Sequence, residues 1–399
     1  MNEKFFYEAL RKCSNDELAI LLSMNHSKFE ASLVPDKRTL YSQGKTGTCW
    51  LSSALLCISL YLKNIKKIEI TEETTFSKSY LLFYDKIERT KWLLSLIESN
   101  IDDEQRMRYI LNHLMTDRGQ WNMARNLILK YGLIPYGAMP DPFHHKSLID
   151  LNISISNMLK LYALHLKKKP SASEKDNMKN IIINTVKRML VHLLGEPPTE
   201  IDVPAIFQCK DRISPQSFFH DYIGFPFDDY LFICNFAPES NSFYEVTLDN
   251  NMMDGMPEIL LNLSDDDFYT AVFNQLKMEG FCWYTCDASK GFCLENSSFD
   301  DPDTYEFFSS LSSFDMIRNR LSAPNHAMVL ISDGHYLNEK WLLSHNSKSG
   351  LSYGKYVPVS KTWLQKYAFQ AVVHKSCITL DYLHIPFYQT MPFDLFYSI

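Results

Sequence analysis

The stretch Gln43-Gly44-Lys45-Thr46-Gly47-Thr48-Cys49-Trp50-Leu51-Ser52-Ser53-Ala54-Leu55-Leu56-Cys57-Ile58-Ser59-Leu60-Tyr61-Leu62 decides the fold. Its opening is polar and carries Gly44 and Gly47, which marks a loop. From Cys49 onward it is apolar on nearly every side of a helix, and such a helix is buried. Its exceptions, Ser52 and Ser59, lie about two turns apart and so share one face. Cys49 falls in the first turn. There the unpaired N–H groups and the positive end of the helix dipole favour a thiolate. A thiolate is the nucleophile that cysteine catalysis needs. A buried structural cysteine would read the same way, so the histidines must discriminate.

The chain has 12 histidines, and His326 stands out among them because it opens the strand-like run Asn325-His326-Ala327-Met328-Val329-Leu330-Ile331. A second run, Lys340-Trp341-Leu342-Leu343-Ser344-His345-Asn346, follows across Asp333-Gly334, a turn signal. Symmetric pairing about a loop near 333–339 puts His326 opposite Asn346. Directly opposed residues have Cβ atoms about 4.5–5.5 Å apart, so the Asn carboxamide oxygen can accept from the imidazole. A slip of one residue would separate them. Gln43, in the loop before Cys49, could complete an oxyanion hole with the Cys49 N–H. Losing one such donor typically costs about 10²–10³ in turnover.

The rest of the chain sorts into a helical front and a strand-rich back. Residues 1–35 read as mostly helical, 36–48 as loop, and 74–200 as helices. Lys167-Lys168-Lys169-Pro170-Ser171 reads as an exposed linker between two of these. Short strand-like runs fill 228–300, and further strands follow near 355–359 and 369–374. No repeat or low-complexity segment interrupts this order. It predicts α+β rather than alternating βαβ units.

Composition sets outer limits. The 399 residues are 46% hydrophobic and 22% charged, enough to bury a large core and exclude wholesale disorder. The formal charge of −7 argues against nucleic acid as the default partner. Nine irregularly spaced cysteines are not a disulfide framework. No signal peptide and no apolar run of about 18 residues is seen, so no membrane span is expected. A soluble protein of a reducing compartment is the expectation.

Two other motifs fail on inspection. Gly44-Lys45-Thr46 resembles the end of a phosphate loop, but Thr39 stands where that motif needs its first Gly. Cys282, Cys286 and Cys293 with His335 match no tight zinc-ligand spacing, so no metal is expected.

Taken together, these segments resemble a known family. Gln43-Gly44-Lys45-Thr46-Gly47-Thr48-Cys49-Trp50 is similar to the active-site segment of papain-like cysteine peptidases, most of all their bleomycin hydrolase (aminopeptidase C) branch. Tyr80-Leu81-Leu82-Phe83-Tyr84-Asp85-Lys86, Gly119-Gln120-Trp121-Asn122-Met123, Lys130-Tyr131-Gly132-Leu133-Ile134-Pro135, Leu194-Gly195-Glu196-Pro197-Pro198 and Cys286-Asp287 also resemble that branch. Asn325-His326-Ala327-Met328 resembles its His motif and Asn346-Ser347 its Asn motif. The likeness runs in order from about residue 40 to 375.

The resemblance implies a single papain-like unit over 1–399. A helical lobe with Cys49 would span about 36–200, and insertion and oligomerisation elements about 200–300. A β-rich lobe with His326 and Asn346 would span about 301–385, and a C-terminal arm about 386–399. It implies a cytoplasmic aminopeptidase without cofactor, acting on peptide substrates and assembled as a homohexamer. Cys49 would be the nucleophile, His326 the general acid/base, Asn346 its orienting partner and Gln43 the oxyanion donor. The arm, with Pro392-Phe393-Asp394, would bring the Ile399 carboxylate to the substrate's α-amino group. Where the family usually has Trp-Gly after Asn-Ser, this chain has Lys348-Ser349-Gly350. An endopeptidase and a non-catalytic barrel-shaped scaffold are the other readings. A transglutaminase-like acyltransferase also uses Cys then His, but its third member is usually Asp, which Gln43 and Asn346 do not match.

Overall fold

A computed structural model of the chain describes residues 30–31, 41–43, 46–71, 74–141, 146–208, 211–293, 298–300, 311–336, 339–348, 356–382 and 384–390. The helix read from the opening stretch is α1, Cys49–Asn64, and every residue from Trp50 to Leu60 is buried. Ser59, a polar break in its surface, meets the Tyr41 hydroxyl at 2.7 Å. The helices α2 (Lys78–Asn100), α3 (Glu104–Asn112), α4 (Trp121–Tyr131), α5 (Lys146–Leu166) and α6 (Ala172–Leu194) follow. Exposed Lys167 to Lys169 join α5 to α6, and Ser171 starts α6 in a capping box with Glu174. The linker reading is borne out. Glu30–Ala31 is a two-residue strand; the rest of the stretch 1–35 lies outside the described residues.

Apart from a small pair of strands at Ile201–Asp202 and Arg212–Ile213, the described strands build one twelve-stranded sheet. They are β1 (Glu30–Ala31), β2 (Tyr230–Cys234), β3 (Ser242–Val246), β4 (Glu258–Asn262), β5 (Cys282–Cys286), β6 (Phe292–Cys293), β7 (Ser298–Phe299), β8 (His326–Tyr336), β9 (Glu339–His345), β10 (Tyr356–Val359), β11 (Ala368–His374) and β12 (Phe387–Thr390). Their order is β12-β3-β4-β2-β11-β5-β8-β9-β10-β7-β6, with β1 also on β8. Most pairs are antiparallel, and helices precede strands, so the fold is α+β as expected.

Two apolar cores flank this sheet. Along β8, Ala327, Val329 and Ile331 join the core that holds α1 and the helical front. Met328 and Leu330 join a second core with Phe268 and Val272 of the helix Asp265–Glu279 (α7). Successive strand residues alternate faces, so a strand covered on both sides reads as an unbroken apolar run.

Two local expectations are corrected. Asp333-Gly334 is no turn: β8 runs through it, Gly334 opposing Trp341 on β9 and Ala31 on β1. The apolar Trp341-Leu342-Leu343 needs a partner over that length, and pairing it overrides the local turn preference. The register also differs. Val329 faces His345, and a bulge falls between Leu330 and Ser332. Asn346, next after His345, therefore continues opposite Met328 rather than His326. The offset is two residues, which keeps Asn346 and His326 on one face as diagonal neighbours.

Candidate active site

Cys49 is the first residue of α1, so its thiol sits at the helix's positive end. No acidic residue lies in that first turn to oppose the dipole. The helix is fixed to the sheet one turn further on, where Ser53 Oγ donates to the Ala327 carbonyl at 3.1 Å. Trp283 of β5 donates its indole N–H to the Trp50 carbonyl at 3.3 Å. Trp50 in turn donates to the Asp117 carbonyl at 2.8 Å. Gly119 lies flat on that indole: a Cβ there would fall 2.6 Å from a Trp50 ring atom, so only Gly fits.

The loop ahead of Cys49 is held by two buried cations. Lys78 Nζ donates to the Ser42 carbonyl at 2.7 Å and pairs with Asp141 at 3.2 Å. Lys86, fully buried, pairs with Asp117 at 2.9 Å and donates to the Thr116 carbonyl at 2.7 Å. Burial would push the Asp117 carboxyl up, but Lys86, Asn152 and the Gly47 backbone hold it below its ordinary range. The charge of Asp117 thus reaches the backbone two residues before the thiol.

His326 begins β8, and its Nε2 lies 2.8 Å from Asn346 Oδ1. A carboxamide oxygen only accepts, so Nε2 carries the proton and donates. The Lys348 backbone N–H donates to the same oxygen at 3.0 Å. Both His326 and Asn346 are buried. Burial alone would push the Cys49 thiol up. The charge and hydrogen bond of His326, with backbone hydrogen bonds from Ala327 and Trp50, outweigh it and bring the thiol below its ordinary value. Burial likewise works against the imidazolium, but Cys49 and Asn346 raise His326 above its usual value while Lys348 opposes them. The two shifts are the two halves of one thiolate–imidazolium pair.

Gln43 bridges the two segments. Its backbone N–H donates to the Ser347 carbonyl at 2.8 Å, and its Oε1 accepts from Ser347 Oγ at 2.9 Å. Its Nε2 donates to the Thr46 carbonyl at 2.8 Å. The structure therefore brings Cys49, His326, Asn346 and Gln43 into one cluster. Ile399 lies outside the described residues, as does everything from 391 onward. The last described strand, β12, pairs parallel with β3 at the sheet edge.

A second layer escaped the sequence reading. The Asp287 carboxylate accepts from Asn325 Nδ2 at 2.6 Å, Ser322 Oγ at 2.7 Å, the Ala323 N–H at 3.2 Å and the Ser289 N–H at 3.1 Å. Burial raises this carboxyl, and these donors more than reverse the effect. Asp287 thereby fixes the turn that delivers His326 to β8. Its only signal in the sequence was the pair Cys286-Asp287 in a matching segment; no spacing rule points to Ser322, Ala323 and Asn325, 35 and more residues away. Among the described residues, no group of three or more His, Cys, Asp or Glu could hold a metal ion, and no helix is long and apolar enough to cross a membrane.

Known proteins share this architecture. The chain is 26% identical over 369 residues to aminopeptidase C of Lactobacillus delbrueckii subsp. lactis, covering 87% of this chain and 81% of the relative. It is 27% identical over 376 residues to aminopeptidase G of the same organism, covering 88% and 84%. Aminopeptidase C of Listeria monocytogenes is 26% identical over 378 residues, covering 88% and 83%. The crystal structure of PepW from Lactobacillus rhamnosis superimposes with a TM-score of 0.78 over 99% of this chain and 94% of that one. At 22% identity that likeness shows a shared fold. The relatives bear out the resemblance to the aminopeptidase C branch and to its cysteine-type enzymes. With the Peptidase C1-like family model matching residues 8–395, the chain belongs to that family of papain-like cysteine peptidases.

Proposed function

We propose that this chain is a cytoplasmic cysteine aminopeptidase that releases N-terminal residues from peptides through a thioester acyl-enzyme, with no cofactor. The observation that carries this reading is the depressed Cys49 thiol at a helix N-terminus beside a raised His326 imidazole. In the proposed reaction the Cys49 thiolate attacks the scissile carbonyl. His326 then gives its proton to the departing amine and later takes one from the water that opens the thioester. Asn346 keeps the ring's other nitrogen occupied, which leaves Nδ1 for the thiol. A Gln43 amide N–H, with the Cys49 backbone N–H, receives the charge that develops on the carbonyl oxygen.

In the same reading the Ile399 carboxylate holds the substrate's α-amino group and makes the enzyme an aminopeptidase. The lobes at about 36–200 and 301–385, the elements between them and the arm beyond belong to this reading too. So does assembly into a homohexamer, for which α5 offers a surface. Ile149, Ile153, Leu161 and Leu164 are exposed along its solvent side, an apolar stripe that a neighbouring copy would cover.

Fluorogenic amino-acid amides tested against their N-acetylated forms, with Cys49→Ala as control, check the proposal. Cleavage of the free-amine substrates alone is expected. Cleavage of both would keep the thiol chemistry but make the chain an endopeptidase. Normal cleavage by Cys49→Ala would sink the assignment.

A further inference from the structure

Lys348 is exposed, two residues past Asn346, and its backbone is pinned by the N–H bond to Asn346 Oδ1 at 3.0 Å. Lys348 is thus held beside the His326–Asn346 pair, close enough for its charge to act on the imidazole. Among the described residues no carboxylate pairs with its ammonium. The contrast with Lys78 and Lys86, each seated on an aspartate, is complete. Nor is the position neutral, because a cation here works against the charged imidazole. A cation beside the His326–Asn346 pair, with no carboxylate partner among the described residues, is placed to take a carboxylate from a bound substrate.

The chemistry says which part of a substrate comes near it. The imidazole must lie against the scissile nitrogen to protonate it, so the departing residue passes on the His326 side of the sulfur. Lys348 follows the His326–Asn346 pair, its backbone bonded to the oxygen that holds the imidazole's Nε2, so it belongs to the His326 side. We infer that Lys348 is a specificity determinant for the leaving residue, and that it takes a carboxylate carried by the residue just behind the scissile bond. That carboxylate is either an Asp or Glu side chain or, in a dipeptide, the residue's own α-carboxylate. When it docks, it neutralises the cation that opposed the imidazolium, so such substrates also favour the reactive ion pair. This inference rests on the peptidase reading above.

The test uses the full-length protein and C-terminally amidated peptides that differ only behind the scissile bond, as Glu, Ala or Lys. A second arm compares the dipeptide Ala-Ala with Ala-Ala-amide and so separates the two sources of carboxylate. The wild type is expected to prefer Glu over Lys by up to about fivefold in kcat/KM at low salt, on the scale of an exposed ion pair. The preference should shrink as salt rises. Lys348→Ala should abolish it and Lys348→Glu should reverse it. The alkaline limb of kcat should lie at higher pH for the Glu peptide than for the Lys peptide, a shift that a merely structural lysine would not cause. Equal, salt-independent turnover of all three peptides by the wild type, with Ala-Ala and its amide cleaved alike, would overturn the inference whatever the variants do. Cleavage of a fluorogenic amide alongside that result would leave the peptidase reading standing. A wild type that cleaves neither reporter nor peptides would withdraw both.

Discussion

The Ser53 hydroxyl of α1 donates to the carbonyl of Ala327, and this one bond ties the helix that begins at Cys49 to the strand that begins at His326. Each end lies within about one turn or one step of a reacting group. The separation of thiol and imidazole is therefore set by two rigid elements rather than by the loops around them. Ser53→Ala should cost about 1 kcal/mol in chemical unfolding, the usual worth of a buried hydrogen bond. It should also let the Cys49 thiol titrate nearer its ordinary value. A thiol titration unchanged from wild type would show that the tie does not govern the pair.

Alkylation of Cys49 by iodoacetamide should report the ion pair directly. The thiol is lowered and the imidazole raised by each other's charge, and both shifts favour the charged pair. On the ion-pair reading, reactivity should extend to lower pH than that of a free thiol of pKa about 8.5, with pH 5–6 the sharpest comparison because a free thiol is nearly inert there. It should fall as pH drops through the lowered thiol value. His326→Ala removes the partner and should return the profile to that of an ordinary buried thiol.

Asp287→Ala removes the acceptor of five donors at once and leaves the turn before His326 without its anchor. Hydrogen bonds to a charged group are worth about 1.5–3 kcal/mol each, so a loss of about 3 kcal/mol or more is expected in urea denaturation. Turnover should drop by about 10²-fold at temperatures where the variant is folded, because a shift of about 1 Å in a reacting group costs that much. Wild-type turnover by the folded variant would refute a positioning role.

Lys86→Met tests the support of the Cys49 loop. It strands the Asp117 carboxylate in a buried site, and breaking such a pair costs about 3–5 kcal/mol. Changing Asp117 to Asn in the same chain removes the stranded charge and should recover part of the loss. Additive losses in the double variant would mean that the two side chains do not act as a pair.

A pH signature should come from the fully buried Glu258 of β4. Burial and the neighbouring Asp249 raise its carboxyl well above the usual range; Asp249 itself feels Arg89 and His113. The folded chain thus keeps a proton that the unfolded chain releases near 4.5. Its contribution is whole below that pH and is lost as pH rises. Glu258→Gln keeps the shape without the charge. The variant's Tm should gain on the wild type between pH 5 and pH 8, as read by calorimetry, and parallel curves would exclude the effect.

Much of this molecule was legible in its sequence, for stated physical reasons. An all-round apolar run after a glycine loop has one destination, a buried helix, and α1 is that helix. The pairing of His326 with Asn346 survived an error of two residues in register because strand faces repeat every two residues; an error of one would have broken it. Asp333-Gly334 misled because its turn preference is local, whereas the apolar strand opposite it is paid for by the whole core. Asp287, Lys86 and Asp117 could not be read as a set. Each is an ordinary charged residue whose role comes from partners that only the tertiary fold brings within reach.

The pair of hydrogen bonds between Gln43 and Ser347 has a consequence for the nascent chain. The two residues are 304 positions apart, so the cleft closes only after nearly the whole polypeptide has left the ribosome. At roughly 5–20 residues per second, that is a delay of tens of seconds after Cys49 emerges. Until then the thiol has neither its imidazole nor the loop that aims it. On the proposed peptidase reading, the order of its own synthesis keeps a chain of such late-closing topology from attacking its neighbours on the polysome.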